Sequence, residues 1–491
     1  MEFITQTKPL IVIKEKKMTV QARLTKHSGF DLETSGLDRF FHQATQVAFT
    51  EPAVNLNERT KVFQARIRRC PMSLAEPDAL LTTAVPFASF DDKNHRTEYS
   101  IAVGLAKWIR EQTNTVFHGF NASFDKGFVQ GLFYKNLCDP FLMNKGGRTV
   151  SDARQTFLAS SILDGGIRIL RNPDGVWSST QEAFAAANDL MYGAHDAKED
   201  TAALWKLLGL ATISSPELVE SLDLTFDKSR LAEAVTKASF YVALAFSRAK
   251  GPRLEGRAVI GRHPKYGNQQ LAVRLGFLDD RQALERAFQT IATASPEDVK
   301  FCRFKANDAP MTILPGQKLM DRLLTPEQQD QLLQIANLAR SNTGLYEACC
   351  AAEVTKINNY AVPEYPEAQM ISHGFWTDND MSVARRFHEA SPAGKLALMP
   401  EMEDDRMQYF AEQIVYSNWP DALPSAALQR LDEYCAWRLR TDDDVQWVTI
   451  PKALKRIDEL LPTCLEEPKR LLEDYRSALT SLEMNPIQRS R

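Results

Sequence analysis

Short apolar runs alternate with helical spacing over the first 214 residues. T-V-F-H-G-F, at residues 115–120, is β-branched and aromatic and ends at a polar loop, which predicts a central strand. Apolar residues at 128, 129, 132 and 133 have the spacing of a helix over residues 125–137. Alanine and leucine content predicts further helices at residues 182–188 and 200–208. This order of strands and helices predicts an α/β region with a mixed sheet.

The remaining chain changes character twice. I-S-S-P, at residues 213–216, indicates a boundary, after which residues 222–246 are predicted to be helical. Strand-like segments then follow at residues 258–262, 270–275 and 299–304. The turn-rich H-P-K-Y-G-N lies between the first two. From about residue 361 only helical runs remain, separated by prolines, at residues 381–390, 404–416, 425–439 and 451–461.

These changes predict three domains after an extension. At 491 residues the chain is too long for one ordinary core. The expected limits are 1–21 for an N-terminal extension, 22–214 for the α/β domain, 215–360 for a small β-rich domain and 361–491 for a helical domain. Either Met1 or Met18 is compatible with the start of translation.

Composition excludes several classes of protein. A net charge of −4 means that any contact with nucleic acid depends on a local basic channel. The seven cysteines form neither C-x-x-C nor a zinc spacing with histidine, so reduced thiols in a cytoplasmic protein are expected. Apolar stretches are too short for a membrane span or a secretory signal.

Two carboxylates stand close together in F-D-L-E-T. Asp31 and Glu33 point to the same face if they lie on a strand, within reach of one cation. A D-x-E pair also occurs by chance on solvated faces, but Gly36 in the T-S-G that follows lets backbone approach a ligand. The preceding T-K-H-S-G-F is unusually polar for a central strand, and without that strand the two acids need not share a face.

Two later segments add acids and a histidine. Asp125 follows Phe124 at a predicted helix start, where an acid is also favoured by the helix dipole, and Asn121 precedes it in a loop. His195 is expected in the loop before the helix that carries Asp200. A lone histidine is more often structural than catalytic, but its near-neutral pKa suits a general base. Asp196 and Glu199 are interpreted as solvated acids at the helix start.

Four carboxylates and an imidazole permit hydrolysis of a phosphodiester assisted by two divalent ions. In that chemistry a general base removes the proton of an attacking water, and no side chain is a covalent nucleophile. The expected ions are two Mg²⁺ per site, with Mn²⁺ as a substitute.

The order D-x-E, N-x-x-F-D, H-x-x-x-x-D resembles the DEDDh 3′→5′ exonucleases. F-Y-K-N-L-C-D-P-F at 133–141 is similar to F-Y-R-N-x-x-D-P-Y of bacterial exonuclease I, and L-D-R-F-F-H-Q-A-T-Q-V-A-F at 37–49 to its L-D-R-P-A-Q-F-A. E-P-D-A-L-L-T-T at 76–83 looks like one of its loops. H-P-K-Y-G-N-Q-Q-L-A-V-R-L at 263–275 and A-Q-M-I-S-H-G-F-W-T-D-N-D at 368–380 extend the likeness beyond the catalytic domain.

This resemblance implies a ribonuclease H-like exonuclease domain, an SH3-like domain and an all-helical C-terminal domain, forming a clamp around single-stranded DNA. It implies a monomer that releases mononucleotides from the 3′ end in DNA repair or recombination, with the acidic tail of single-stranded DNA-binding protein as a partner. The implied metal ligands are Asp31, Glu33, Asp125 and Asp200, with His195 as the base. The implied substrate contacts are Thr34, a loop with Thr82 and Thr83, Asn121, Phe124 and Phe141.

Two departures from the family pattern stand near these residues. Ser35 replaces an aromatic residue that would wedge against the terminal base, and Thr180 replaces an arginine that would meet substrate. Loss of such an arginine weakens binding of phosphate.

Other readings remain open. The motifs do not distinguish DNA from RNA, and a catalytically weak scaffold on the same fold is a third possibility. Candidates for a basic, aromatic path along the strand also have ordinary roles on the surface or in the core. They are Arg66, Arg68, Arg69, Arg248, Lys250, Arg253, Phe120, Phe124 and Phe141.

Overall fold

The computed structural model describes residues 25–486 apart from 57, 164, 191, 192, 194, 214 and 294–298. The predicted extension at 1–21 and the choice between Met1 and Met18 lie outside this part. Six strands form the first sheet, in the order β4-β3-β2-β1-β5-β6. They are β1 (Lys26–Thr34), β2 (Ala44–Thr50), β3 (Val62–Arg68), β4 (Arg96–Thr97), β5 (Thr115–Gly119) and β6 (Thr149–Asp152). Because β1 pairs antiparallel with β2 and parallel with β5, the sheet is mixed, as predicted.

Helices cover both faces of this sheet. They are α1 (Pro77–Thr83), α2 (Glu98–Glu111), α3 (Ser123–Lys135), α4 (Ala153–Ser161), α5 (Gln181–Ala187) and α6 (Ala197–Ile213). Phe30 and Leu32 of β1 pack in one core with residues of α2 and α3. Alternate residues of β1 therefore face α6, whose Thr201 and Leu204 lie against Gly29.

The polar first strand is a true strand because its buried polar groups have partners. Ser28 Oγ donates to the Thr50 carbonyl at 2.7 Å, and the Gly29 N–H donates to Thr50 Oγ1 at 2.9 Å. His27 Nδ1 lies 3.0 Å from His118 Nε2 on β5. Satisfied hydrogen bonds remove the main cost of burying polar side chains. Asp31 and Glu33 consequently do share a face.

A second, antiparallel sheet has the order β10-β9-β8-β7-β11. Its strands are β7 (Phe240–Ser247), β8 (Gly251–Arg262), β9 (Gln269–Phe277), β10 (Phe301–Lys305) and β11 (Thr312–Ile313). The three strands predicted at 258–262, 270–275 and 299–304 are confirmed as parts of β8, β9 and β10.

The single helix predicted at residues 222–246 is wrong. Two helices, α7 (Pro216–Phe226) and α8 (Lys228–Lys237), precede β7. Asp227 caps α8 by accepting from the backbone of Ser229 and Arg230, which breaks the helix. Alanine and leucine in the next segment suggested a helix, but eight residue pairs join β7 to β8. Tertiary pairing overrides helix propensity there.

Ten further α-helices complete the described part of the chain. They are α9 (Arg281–Thr293), α10 (Lys318–Leu323), α11 (Pro326–Ser341), α12 (Thr343–Asn358), α13 (Asp378–Glu389), α14 (Pro392–Leu398), α15 (Asp405–Asn418), α16 (Ser425–Arg440), α17 (Ile450–Leu460) and α18 (Glu466–Met484). The four predicted C-terminal helical runs are confirmed as α13, α15, α16 and α17, while α18 has no predicted counterpart. One hydrophobic core joins helices α13–α18 to Leu80 of α1 and Tyr134 of α3.

Two further predictions concern the whole described region. All seven cysteines lie within it, and each is a free thiol. Among the described helices, none combines the length and the apolar composition needed to cross a bilayer.

Candidate active site

Asp31 and Glu33 project from the same face of β1 because they alternate along a strand. Phe30 and Leu32, which alternate with them along the strand, point into the core on the other side. A register shift between Glu33 and Thr34 puts a bulge at the end of the strand. Such bulges re-aim side chains beside functional sites.

Asp200 and Asp125 approach the same place from two helices. Asp200 lies in the first turn of α6 and Asp125 in the first turn of α3, and both are buried. Single carboxylate oxygens of Asp31, Glu33 and Asp200 all lie within 4.8 Å of one another. Asp125 lies close enough that its charge raises the pKa of Asp31. The structure therefore brings three of the acids within 4.8 Å of one another and places Asp125 within electrostatic range of Asp31.

The electrostatics of this acidic cluster are unfavourable without a cation. Burial, and then the charges of Asp125 and Asp200, hold the pKa of Asp31 well above its usual range. Burial and neighbouring acids raise the pKa of Glu33 to about 8, and burial raises that of Asp125 to about 8. Like charges in a desolvated site disfavour ionisation. Hard oxygen donors in this arrangement fit divalent cations such as Mg²⁺, which would neutralise the charge.

His195 lies in the loop before α6 and reaches solvent. Its side chain is exposed and its φ is 66°, a left-handed conformation that is uncommon for a residue with a side chain. The His195 N–H donates to Asp200 Oδ2 at 2.9 Å. This hydrogen bond ties the histidine directly to one of the four acids.

The prediction that Asp196 is an acid at the helix start is confirmed, because its Oδ1 accepts from the N–H groups of Lys198 and Glu199, but the expected full solvation is wrong. Asp196 is half-buried, and its Oδ2 accepts from Gln46 Nε2 at 3.2 Å and lies 3.6 Å from Arg66 Nη2. Its charge also raises the pKa of Glu33. Sequence reasoning missed this role because Gln46 and Arg66 lie more than a hundred residues away. Glu199, by contrast, is exposed as expected.

With this geometry in view, known proteins provide an independent comparison. A sequence model of the family described as "Exonuclease I C-terminal domain" matches residues 364–479. The exodeoxyribonuclease I of Buchnera aphidicola is 25% identical over 218 residues. That match covers 43% of this chain and 52% of the relative, so the chain spans about half the length of the curated relative.

Solved structures match over nearly the whole chain. Exonuclease I from Methylocaldum szegediense has a TM-score of 0.79 at 18% identity, covering 94% of this chain and 100% of the other. E. coli exonuclease I in complex with a dT13 oligonucleotide has a TM-score of 0.75 at 20% identity, with the same coverage. An ExoI/SSB-Ct complex has a TM-score of 0.76 at 18% identity, covering 95% and 100%.

The chain has the exonuclease I fold. The resemblance to bacterial exonuclease I drawn from the sequence motifs is thereby confirmed, together with the predicted fold class. That class is an α/β domain with a mixed sheet, followed by a β-rich domain and a helical C-terminal domain, in the arrangement of the exonuclease I structures.

The expected loop with Thr82 and Thr83 is not a loop. Both residues end α1, where their hydroxyls donate to the carbonyls of Asp78 and Ala79 four residues earlier. Pro77 at the start of α1 favours the helix. Thr34 is nearer to the acids, and its Oγ1 donates to the Gly36 carbonyl at 2.8 Å.

The predicted aromatic contacts are dispersed. Phe124 is half-buried in the first turn of α3, one residue before Asp125, and packs on Phe128 at 4.9 Å. Phe141 follows the other end of α3, about 20 Å along a 13-residue helix, and contacts Phe375. Phe120 packs against Phe157 instead. Of these aromatic residues, only Phe124 adjoins the acidic cluster along the chain.

Asn121 and the two departures from the exonuclease I pattern have local roles. Asn121 is exposed with a φ of 55°, and its N–H donates to Asp152 Oδ1 at 3.0 Å. Ser35 is buried, and its Oγ accepts from the Gln43 N–H at 2.9 Å. Thr180 caps α5 by accepting from the Ala183 N–H. Neither departure alters the four acids.

Several predicted cations have intramolecular partners. Arg66 pairs with Asp196, Arg69 with Asp91 at 2.9 Å and Arg253 with Asp279 at 2.5 Å. Arg248 and Lys250 are exposed, and Arg68 is half-buried. The side chain of Arg253 is mostly buried in its pair, so it is a weaker candidate for binding phosphate than the exposed cations.

Proposed function

We propose that this protein is a divalent-metal-dependent exonuclease that degrades single-stranded DNA from its 3′ end to mononucleotides. The observation that carries the proposal is the convergence of Asp31, Glu33 and Asp200 within 4.8 Å, with Asp125 beside them. Four mutually repelling carboxylates have little structural value by themselves, since buried like charges destabilise a fold.

The four acids are the proposed ligands of two Mg²⁺ ions, with Mn²⁺ as a substitute. When bound, such ions lower the pKa of a water and neutralise charge on a phosphodiester. The carboxylates themselves orient the scissile phosphate by fixing where positive charge lies. Burial of Asp125 and Asp200 limits their movement, which favours a single geometry.

His195 is the proposed general base. Its exposed imidazole can reach a water, while the backbone bond to Asp200 keeps it next to the acids. A base at this position removes the proton of the attacking water. Thr34, at the bulged end of β1, is the best placed of the proposed contacts to the terminal nucleotide. The roles of Thr82, Thr83, Asn121, Phe124 and Phe141 remain proposals of lower rank.

A substrate of single-stranded DNA is supported by relatives. E. coli exonuclease I was crystallised with a dT13 oligonucleotide. An ExoI/SSB-Ct complex suggests the C-terminal tail of single-stranded DNA-binding protein as a partner. We extend both to this chain as proposals, together with a role in DNA repair and domain limits at 22–214, 215–360 and 361–491.

Hydrolysis of 5′-labelled oligo-dT, with oligo-U as the matched RNA, tests the proposal. We expect a ladder that shortens from the 3′ end with Mg²⁺ or Mn²⁺ and disappears with a chelator. Asp200→Asn should abolish it, whereas Glu199→Gln, an exposed acid in the same helical turn, should not.

Three results would redirect the assignment. Faster cleavage of oligo-U would indicate an RNA exonuclease. Binding of oligo-dT without cleavage under any divalent ion would indicate a scaffold on the same fold. Cleavage that survives both chelation and Asp200→Asn would show that the acidic cluster is not the active site.

A further inference from the structure

Three neighbouring strands present a row of polar side chains that leads away from Glu33. Gln46 of β2 is directly opposite Glu33 of β1, and Arg66 of β3 is directly opposite Gln46. Directly opposed residues of antiparallel strands point to the same face of a sheet. The row therefore lies on the face covered by α6, and Asp196, just before α6, meets it.

The two carboxylate oxygens of Asp196 have different partners. Oδ1 accepts from the backbone N–H groups of Lys198 at 3.1 Å and Glu199 at 3.3 Å, which caps α6. Oδ2 accepts from Gln46 Nε2 at 3.2 Å and lies 3.6 Å from Arg66 Nη2. Oδ1 thus caps the N-terminus of α6, and Oδ2 links this helix end to β2 and β3 of the sheet.

His195 lies between this tie and the acidic cluster. Its left-handed φ of 66° is a conformation that persists only where the surroundings hold it. Asp200 holds its N–H from one side, and Asp196, the next residue, anchors the chain on the other side. The imidazole itself is exposed, so backbone placement decides where it points.

We propose that Asp196 is a positioning residue, which through the Oδ2 hydrogen bond to Gln46 and the ion pair with Arg66 sets the place of the His195 base relative to the acids. This inference rests on the proposed function. It predicts that breaking the tie lowers kcat with little effect on KM, because binding of the strand does not depend on it.

Asp196→Asn separates the two roles of this side chain. The amide oxygen preserves the cap at Oδ1, whereas the NH₂ group that replaces Oδ2 cannot accept from Gln46. We expect kcat to fall about tenfold, as loss of one or two modest hydrogen bonds implies, and KM to stay within about twofold.

A second substitution provides the rescue. In Asp196→Asn/Gln46→Glu the donor and the acceptor exchange sides, the net charge of the wild type is retained, and Arg66 keeps an acidic partner. We expect kcat to return to within about threefold of the wild type. Glu199→Gln is the matched control, with kcat and KM unchanged.

Hydrogen exchange of backbone amides in residues 195–200 reports the tie without catalysis. Exchange should be faster in Asp196→Asn, normal in the double variant and normal in Glu199→Gln. If kcat and exchange are unchanged in Asp196→Asn, or if the double variant rescues neither, the positioning role is excluded.

Failure of the proposed function is distinguishable from failure of this inference. A wild type that hydrolyses no oligonucleotide overturns the function, and exchange then decides the tie by itself. Faster exchange in Asp196→Asn that Gln46→Glu reverses supports the tie between the sheet and the His195 loop, and unchanged exchange overturns it.

Discussion

Both sheets of this molecule carry carboxylates that are at least half-buried, but in opposite electrostatic surroundings. In the second sheet, Glu255 of β8 lies 2.8 Å from Arg257 and 2.6 Å from Arg274. In the first sheet, no ion pair within the described region joins Asp31 or Glu33 to a lysine, arginine or histidine. The carboxylate of Glu255 is neutralised by the chain itself, whereas the charged groups that act on Asp31 and Glu33 are other acids.

Glu353 of α12 repeats the pattern of the second sheet. It is buried between His263, at 3.2 Å, and Arg303, at 3.1 Å. Buried acids with cationic partners stabilise a specific fold, and removing one partner is costly. Buried acids without such partners reduce stability until a cation from solution joins them. The difference separates a structural ionic cluster from a candidate metal site without reference to any relative.

Removal of one cluster carboxylate should have the largest effect. Asp31→Asn is expected to eliminate hydrolysis of oligo-dT, since a proposed metal ligand is lost, while the protein remains folded. Its thermal stability in chelator should stay equal or rise, because a repelling charge is removed. A fall in stability comparable to that of Glu255→Gln would contradict the comparison. Single-turnover cleavage and thermal unfolding give the two readouts.

Removal of the base should have the next largest effect. His195→Ala is expected to slow cleavage by about 10²–10⁴-fold, which is typical for a general base. The stabilisation by Mg²⁺ should be unaltered, since His195 is not a proposed ligand. An unchanged single-turnover rate would show that another group accepts the proton.

A buried neutral pair gives a smaller, pH-dependent effect. Burial lowers the pKa of His27, which contacts His118, from its ordinary 6.5 to about 4. As pH falls, His27 therefore takes up a proton more readily in the unfolded chain than in the folded protein. The contribution of His27 to folding stability drops between pH 6.5 and 4, by roughly 3 kcal/mol at pH 4.

Urea unfolding at several pH values checks this expectation. His27→Gln should make the dependence shallower without abolishing it, because burial also lowers the pKa of His42 and His388 to about 4 and that of His118 below its usual range. Substitution of the exposed His373 by alanine should leave the dependence as in the wild type. An equal slope in the wild type and His27→Gln would show that other groups cause the acid sensitivity.

The paired carboxylate of the second sheet should give the smallest effect. Glu255→Gln is expected to cost about 2 kcal/mol, because hydrogen bonds to charged groups contribute 1.5–3 kcal/mol and Arg274 can still reach solvent. Divalent ions should not change this cost. Denaturant unfolding with and without Mg²⁺ measures this cost. If Mg²⁺ restored the stability of Glu255→Gln, the contrast between the two sheets would be contradicted.

Local patterns predicted those parts of the fold whose neighbours along the chain decide their structure. The strand at Thr115–Gly119 and the helix at Ser123–Lys135 follow from β-branched content and from apolar spacing. Residues 240–247 did not follow, because alanine and leucine fit either state and pairing with β8 selects the strand. The loop expected at Thr82 and Thr83 came from the resemblance to exonuclease I, and in this chain those residues instead end the short helix α1.

The sequence alone determined which groups are candidates for the chemistry: four acids and a histidine, in an order that resembles one family of nucleases. Tertiary structure decided how they act together. Pairing of β1 with β2 and β5 buries a polar strand, places Asp31 and Glu33 on the face of α6 and brings Asp200 within 4.8 Å of them. It also joins Asp196 to Gln46, 150 residues away. Charge and hydrogen bonding depend on distance in space, which spacing along a chain does not specify.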